Sequence, residues 1–440
     1  VGIGFPALAV AALLMLAAFL LGLHVASTLG LLSVTLFAWF SDRPILDLLG
    51  LIAWNANTSF VLVAIPLFIL MGEILLRAGL SERLYRSLSA WLNALPGGLL
   101  HTNIAACATF AAVSGSSVAT AATIGSIALP AFRARGYDER IVVGSLAAGG
   151  TLGILIPPSI NFIVYGVLME VSIGRLYMAG VMPGLLLSLL FMGWILLVGL
   201  ARPSIAPREP AIAWRQRLIA LLDMIPTGFL IFLVLGTIYL GVATPTEAAA
   251  FGVLGALALA LWGGGLTRAM LSEVFRATAR TTAMVMLILT GAFILNSTLA
   301  FLGVPQALTA VVAAWDLTPT EMVLILVGFY LVLGTFMDGF AMMVTTIPVI
   351  LPLLKAMNID LVWFGVIAVI LTEAALISPP EGLNLYVIQG LRKSGGGGSG
   401  TILDVWIGVL PFFLIMLFAI GLIVAFPGIA TWLPTTMRGE

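Results

Sequence analysis

The sequence predicts an all-α polytopic membrane protein built as an inverted-topology repeat, with two re-entrant helical hairpins and two broken helices. Two observations carry that prediction. Of the 440 residues, 61% are hydrophobic and 9% charged, and mean hydropathy is +1.19, against roughly 25% charged in a soluble domain. In addition, Pro130, Pro157 and Pro158 recur as Pro352, Pro379 and Pro380, each shifted by 222 positions. Helices broken at matching depths in the two halves of an apolar chain mark a duplicated transporter scaffold.

The same composition narrows the chemistry. Zero net charge argues against a nucleic-acid partner. Cys107 is the only cysteine, which excludes an internal disulfide and a multi-cysteine metal site, and with His24 and His101 alone a histidine-rich site is excluded too.

Apolar runs near the length needed to cross a lipid bilayer, about 20 residues, lie near 5–23, 25–40, 60–76, 177–200, 223–241, 245–263, 281–296 and 403–426. The first lacks a basic leader and is followed at once by another apolar run, so it reads as a retained span and not as a signal peptide. The loop 201–217 carries Arg202, Arg208, Arg215 and Arg217 against Glu209 alone, which places it in the cytoplasm. Counting back, the span broken at Pro157-Pro158 runs from inside to outside, and Arg133, Arg135 and Arg140 are cytoplasmic.

Residues 99–132 lie between Arg77, Arg83 and Arg86 on one side and Arg133 on the other. They therefore enter and leave on one face as a re-entrant hairpin, with Ser114-Gly115-Ser116-Ser117 at its tip. The corresponding segment of the second copy, 355–362, has lost all three arginines, as expected if that copy is inverted; both termini then come out on the periplasmic side. Less hydrophobic segments at 42–58 and 264–280 precede the first full span of each repeat and read either as interfacial helices or as ordinary loops. Gly180-Val181-Met182-Pro183 matches Gly408-Val409-Leu410-Pro411 at an offset of 228, so the second copy carries six extra residues. The Gly-rich stretch 394–400 falls in that interval and reads as a flexible linker, natural or introduced in cloning.

A helix broken at mid-membrane depth leaves backbone carbonyl and N–H groups without intrahelical partners, and a ligand or water must satisfy them. The tip Ser114–Ser117 is expected to face Gly153–Pro157, where hydroxyls and carbonyls form a neutral oxygen cage suited to sodium. The tip Gly334–Gly339 is expected to face Thr372–Pro379, with Asp338 at the position of Ser116. Half-helix N-termini at the same breaks favour an anionic substrate. Small residues at these positions also permit close helix packing with no ligand at all. Acidic residues near apolar runs are Glu73, Glu170, Asp223, Glu247, Asp338, Glu373 and Glu381; Glu73 is placed to pair with Arg77 along its helix, and Glu170 and Asp223 fall near span ends.

The Ser114–Thr120 segment, Gly153-Ile154-Leu155-Ile156-Pro157-Pro158-Ser159, the block Gly241–Ala250 and the Phe336-Met337-Asp338 stretch resemble the large membrane subunit of tripartite ATP-independent periplasmic (TRAP) transporters, across nearly the whole chain. The resemblance implies a sodium-coupled importer of organic anions in a bacterial inner membrane, with an elevator-type scaffold plus transport domain. It implies two partners, a small four-helix membrane subunit and a soluble periplasmic substrate-binding protein, and no cofactor besides the coupling sodium ions. Carried over, the sodium sites fall on Ser114, Ser117, Gly153, Ile156 and Pro157, and on Gly334, Asp338, Thr372, Ala375 and Ser378. Ser116, Pro158, Ser159, Pro379, Pro380 and Glu381 lie near the substrate. Glu381 stands where the family commonly has a small apolar residue.

The chain accordingly divides into scaffold spans and a first arm (1–99), a first transport half (100–170), further scaffold spans with the second arm (171–321), a second transport half (322–390), and the Gly-rich loop with the last span (391–440). A stand-alone sodium-coupled carboxylate carrier is the alternative. An intramembrane enzyme would need a nucleophile with a base or a metal set, and a channel would conduct without sodium dependence.

Overall fold

The computed structural model describes residues 4–41, 46–205, 207, 212–394 and 400–437, and every regular element among them is a helix. In the first half, α1 (Gly4–Leu20) and α2 (Val25–Phe40) lead to the arm α3 (Leu46–Asn57). A short 3-10 turn then enters α4 (Ala64–Arg77), which is followed by α5 (Leu80–Leu92), α6 (Leu99–Ser114), α7 (Ser117–Ala134), α8 (Glu139–Leu155), α9 (Ile160–Met169) and α10 (Ile173–Ala201).

The second half repeats the order. Helix α11 (Trp214–Ile231) passes through a π turn into α12 (Thr237–Tyr239), followed by α13 (Pro245–Trp262), α14 (Arg268–Phe301), α15 (Val304–Ala313) and α16 (Pro319–Leu333). Then come α17 (Gly339–Ala356), α18 (Leu361–Ile377), α19 (Leu383–Ser394), α20 (Ile402–Ala425) and α21 (Gly428–Thr435). Helices α7 and α17, and likewise α8 and α18, are offset by 222 at both ends. Local chemistry repeats with the boundaries. Asp138 caps α8 by accepting from the backbone N–H of Arg140 and Ile141, and Asp360, 222 residues on, caps α18 through Val362 and Trp363.

Seven helices among the described residues are long and apolar enough to span a membrane, and the bent pair α8–α9, with a 44° kink, makes an eighth. The chain is an all-α, multi-pass membrane protein.

Two expectations need correction. Pro130 lies inside α7 and Pro352 inside α17, and neither breaks its helix. A single proline removes one N–H donor, a loss that neighbouring groups absorb in a membrane helix, whereas the pairs at 157–158 and 379–380 end α8 and α18. The two arms also differ. The first is a separate helix over Leu46–Asn57, residues 42–45 of the expected segment lying outside the described residues, while the second is fused with its span into the 34-residue α14. The first arm ends at Asn57 and Thr58, residues of low helix propensity whose side chains bond back to the carbonyls of Ala53 and Trp54. The matching positions are Ala279 and Arg280, which favour helix continuation.

The centre of the molecule is formed by α8 and α18. All residues from Val142 to Leu155 and from Val362 to Ile377 are buried, which is the condition for a helix apolar on every face. Helices α6 and α7 pack on α8, α16 and α17 pack on α18, and both α10 and α20 pack against these central helices. The closest approach is between α8 and α20, where a Cβ on Gly144 would collide with the carbonyl oxygen of Gly408. Beside that contact Arg392, 3% exposed, donates to Glu139 at 2.7 Å and to Asp404 at 3.4 Å, and Arg140 reaches Asp404 at 3.0 Å. Helices α2, α3, α4, α13 and α14 pack around one another outside this centre.

Candidate functional site

The first hairpin turns at Gly115, whose φ of 63° is left-handed and closes α6. Ser116 then caps α7, its Oγ accepting from the N–H of Ala119. The tip lies directly on the break of α8. A Cβ at Gly153 would stand 2.5 Å from the carbonyl oxygen of Ser116, and one at Gly115 would stand 2.9 Å from that of Pro158. Ser117 donates to the carbonyl of Thr151 at 3.0 Å, and Ser114 shares a hydrogen bond of 2.8 Å with Thr120. The structure thus brings Ser114, Ser116 and Ser117 together with Gly153 and Pro158. Ser114, Ser117, Ile156 and Ser159 are buried, as are Pro157 and Pro158. Ser159 caps α9 through the N–H of Phe162.

The second tip meets its break in a similar way with different chemistry, although α16 and α17 do not pack along each other as α6 and α7 do. Asp338, in the place of Ser116, caps α17 by accepting from Phe340 and Ala341 at 3.1 and 3.3 Å. A Cβ on Gly339 would stand 2.5 Å from the carbonyl oxygen of Thr372, and one on Gly334 would stand 2.8 Å from Cβ of Ala375. Gly334 and the tip next to Asp338 therefore meet Ala375 and Thr372, while Ser378 ends α18 and is buried. Beyond it Pro379, Pro380 and Glu381 are exposed. The two breaks are thus not equivalent in surroundings: the first is enclosed, and the second presents its proline pair and Glu381 at the surface.

The other acidic residues sort by partner. Glu73 pairs with Arg77, which also reaches Glu273 at 3.5 Å. Glu170 is exposed at the left-handed end of α9 and lies 3.9 Å from Lys355. Glu247 is the third residue of α13 and completes a capping box with Thr244, whose N–H and hydroxyl both reach its carboxylate at 2.8 Å. The block Gly241–Ala250 is therefore a helix start. Its first residues border a cavity of about 570 Å³ with Glu170, Ser172 and Ser59, and no residue of either break lines that cavity. Glu373 is 0% exposed, and among the described residues no hydrogen bond of good geometry reaches its carboxylate, a costly position for an ionised group.

Four polar residues important to this geometry carried no role in the sequence reading: Thr120, Thr151, Asn161 and Asn384. Thr120 lies within the quoted serine-rich segment. The asparagines offered one available signal, since Asn161 stands three residues past Pro158 and Asn384 four past Pro380, each at the start of a largely apolar stretch.

Paired hairpins folded onto paired broken helices, in a chain crossing the membrane many times, define a membrane transporter scaffold. The chain matches the family model described as "Tripartite ATP-independent periplasmic transporter, DctM component" over residues 12–429, and it belongs to that family. It is 32% identical to the C4-dicarboxylate TRAP transporter large permease protein DctM of Vibrio cholerae, covering 98% of each chain. It is 34% identical to the Rhodobacter capsulatus protein of the same name, over 96% of this chain and 98% of the relative. The sialic acid TRAP transporter large permease protein SiaM of Vibrio cholerae is 30% identical over 87% of this chain and 88% of its own length. Among solved structures, the YdaH transporter of Alcanivorax borkumensis shares the fold with a TM-score of 0.64 at 17% identity, covering 93% of this chain and 97% of its own. As a TRAP large permease the chain is a multi-pass protein of the inner membrane.

The close contact at the first break predicts the effect of adding one methyl group. Gly153→Ala should push the tip away from α8, lowering the thermal midpoint of the purified protein through overpacking of about 1–3 kcal/mol. A cysteine placed at 116 in a Cys107→Ser background should then react faster with a thiol reagent. An unchanged midpoint together with an unchanged labelling rate would show that the tip does not rest on Gly153.

Proposed function

We propose that this chain is the substrate-carrying subunit of a sodium-coupled importer for an organic anion, a carboxylate or sugar acid. The observation that carries this reading is the pairing of two hairpin tips with two helix breaks. Each pairing supplies backbone carbonyls, and the first adds the hydroxyls of Ser114 and Ser117 while the second adds the carboxylate of Asp338. Oxygen donors of this kind suit a hard monovalent cation. The substrate class is supported by relatives whose names refer to C4-dicarboxylates and sialic acid; a further relative is named for isethionate. These molecules share a negative charge, which the half-helix N-termini at Ser159 and near Gly382 favour.

In this reading a periplasmic substrate-binding protein delivers the anion, and a small four-helix membrane subunit completes the transporter. The second copy is inverted in the membrane. The hairpins and broken helices, residues 100–170 and 322–390, move together as an elevator past the remaining spans. Ser116, Pro158, Ser159, Pro379, Pro380 and Glu381 then border the substrate, and the exposed Glu381 adds negative charge beside the second cage.

Reconstituted with its two partner proteins, the chain should take up substrate only when sodium is present in an inward gradient. Equal uptake with potassium replacing sodium on both sides would contradict sodium coupling, and uptake by this chain alone would establish the stand-alone carrier instead. The moving body is checked with single cysteines at 116 and 337 in the Cys107→Ser background. Each tip should be labelled from one side of the membrane in a given state, with the accessible side changing on transport. Access to both tips from both sides in one state would indicate a channel.

A further inference from the structure

The two breaks are tied together by a reciprocal pair of buried amides. Asn161 is the second residue of α9, the half-helix that follows the first break, and it is 5% exposed. Its Nδ2 donates across to Thr372 Oγ1 of α18 at 3.2 Å, and Thr372 in turn donates to the carbonyl of Val369 at 2.7 Å. Asn384 is the second residue of α19, the half-helix that follows the second break, and is fully buried. Its Nδ2 donates to the carbonyl of Ala147 in α8 at 3.3 Å. Ala147 lies one helical turn before Thr151, whose carbonyl accepts from Ser117. Each half-helix leaving one break therefore grips the half-helix entering the other.

Such an arrangement does more than fill space. A buried amide that leaves its own repeat and finds an acceptor beside the opposite break fixes where that acceptor stands, because losing the bond leaves a polar group unpaired at a cost of roughly 1–3 kcal/mol. Thr372 is itself a member of the second candidate cage, and its carbonyl lies against the tip at Gly339. A displacement of the first break that moves α9 must therefore move Thr372, and one that moves α19 must act on α8 just before the first cage.

We propose that Asn161 and Asn384 are positioning residues that couple the two cages, so that a cation in one raises the affinity of the other. This rests on the sodium reading of the two breaks. Coupling of this kind is reciprocal and, at a typical size, changes affinity by about 5-fold or more. The amides touch neither ion nor substrate in this scheme; they act through Thr372 and through α8.

The test uses the full chain in lipid nanodiscs, titrated with sodium at constant ionic strength against potassium, with sodium-dependent thermal protection and tryptophan fluorescence as readouts. The native protein should respond to sodium with a Hill coefficient above 1. In Asn161→Leu the coefficient should fall to about 1 and the half-saturating sodium concentration should rise by about 5-fold or more. Thr372→Val should show the same change, and the double variant should be no worse than either alone, because the effect of Asn161 passes through that hydroxyl. If Asn161→Leu does not fold, Asn384→Leu carries the same expectation from the opposite side. Lower stability with an unchanged sodium curve, or additive effects of Asn161→Leu and Thr372→Val, would reduce the amides to structural braces and overturn the proposal. Equal responses of the native chain to sodium and potassium would overturn the sodium reading itself, and this inference with it.

Discussion

A helix interrupted inside a membrane leaves backbone groups that neither lipid nor its own next turn can satisfy, and this protein is organised around two such interruptions. The proline pairs end α8 and α18, and a hairpin tip closes over each end. Close closure requires residues without side chains at the contact: Gly153 under Ser116, Gly115 under Pro158, and Gly339 under Thr372. The remaining elements hold these contacts in place. Helices α10 and α20 pack on the broken pair, and the buried Arg392 ties the starts of α8 and α20 to the end of α19.

Duplication supplied two copies of this device, and substitution then made them differ. At the first break the capping group is the hydroxyl of Ser116 in an enclosed site; at the second it is the carboxylate of Asp338, next to a surface bearing Pro379, Pro380 and Glu381. A neutral cage and a charged cage hold a cation differently. In the proposed reading the exposed Glu381 adds negative charge beside the second cage, so an ion there would be held by net charge as well as by geometry. The buried amides of Asn161 and Asn384 prevent the two sites from behaving as separate objects.

Much of this was legible in the sequence because prolines and glycines state backbone constraints directly. The constant offset of 222 recurs in the matched ends of α7 with α17 and of α8 with α18; the arginines flanking 99–132 located the serine-rich tip, and the offset located its counterpart at Asp338. The offset misled at Pro130 and Pro352, since a lone proline costs one hydrogen bond and the surrounding bundle holds the helix through it. It also concealed the difference between the arms, where Asn57 and Thr58 stand at the end of α3 while the better helix formers Ala279 and Arg280 lie within α14. The cross-links were invisible for a different reason: Asn161 with Thr372 and Asn384 with Ala147 join residues 211 and 237 positions apart, and only the packing of α8 on α18 brings them within reach. The Glu139–Arg392–Asp404 group was hidden in the same way, Glu139 lying 253 positions from Arg392.

In the proposed reading each tip-and-break pair binds a sodium ion of its own. Equilibrium binding of radiolabelled sodium to the purified chain measures this without substrate or partners. The account predicts saturable binding in which Ser114→Ala with Ser117→Ala removes one class of bound sodium and Asp338→Asn removes the other. Binding that survives both changes at full stoichiometry, or that potassium displaces as well as sodium does, would contradict it.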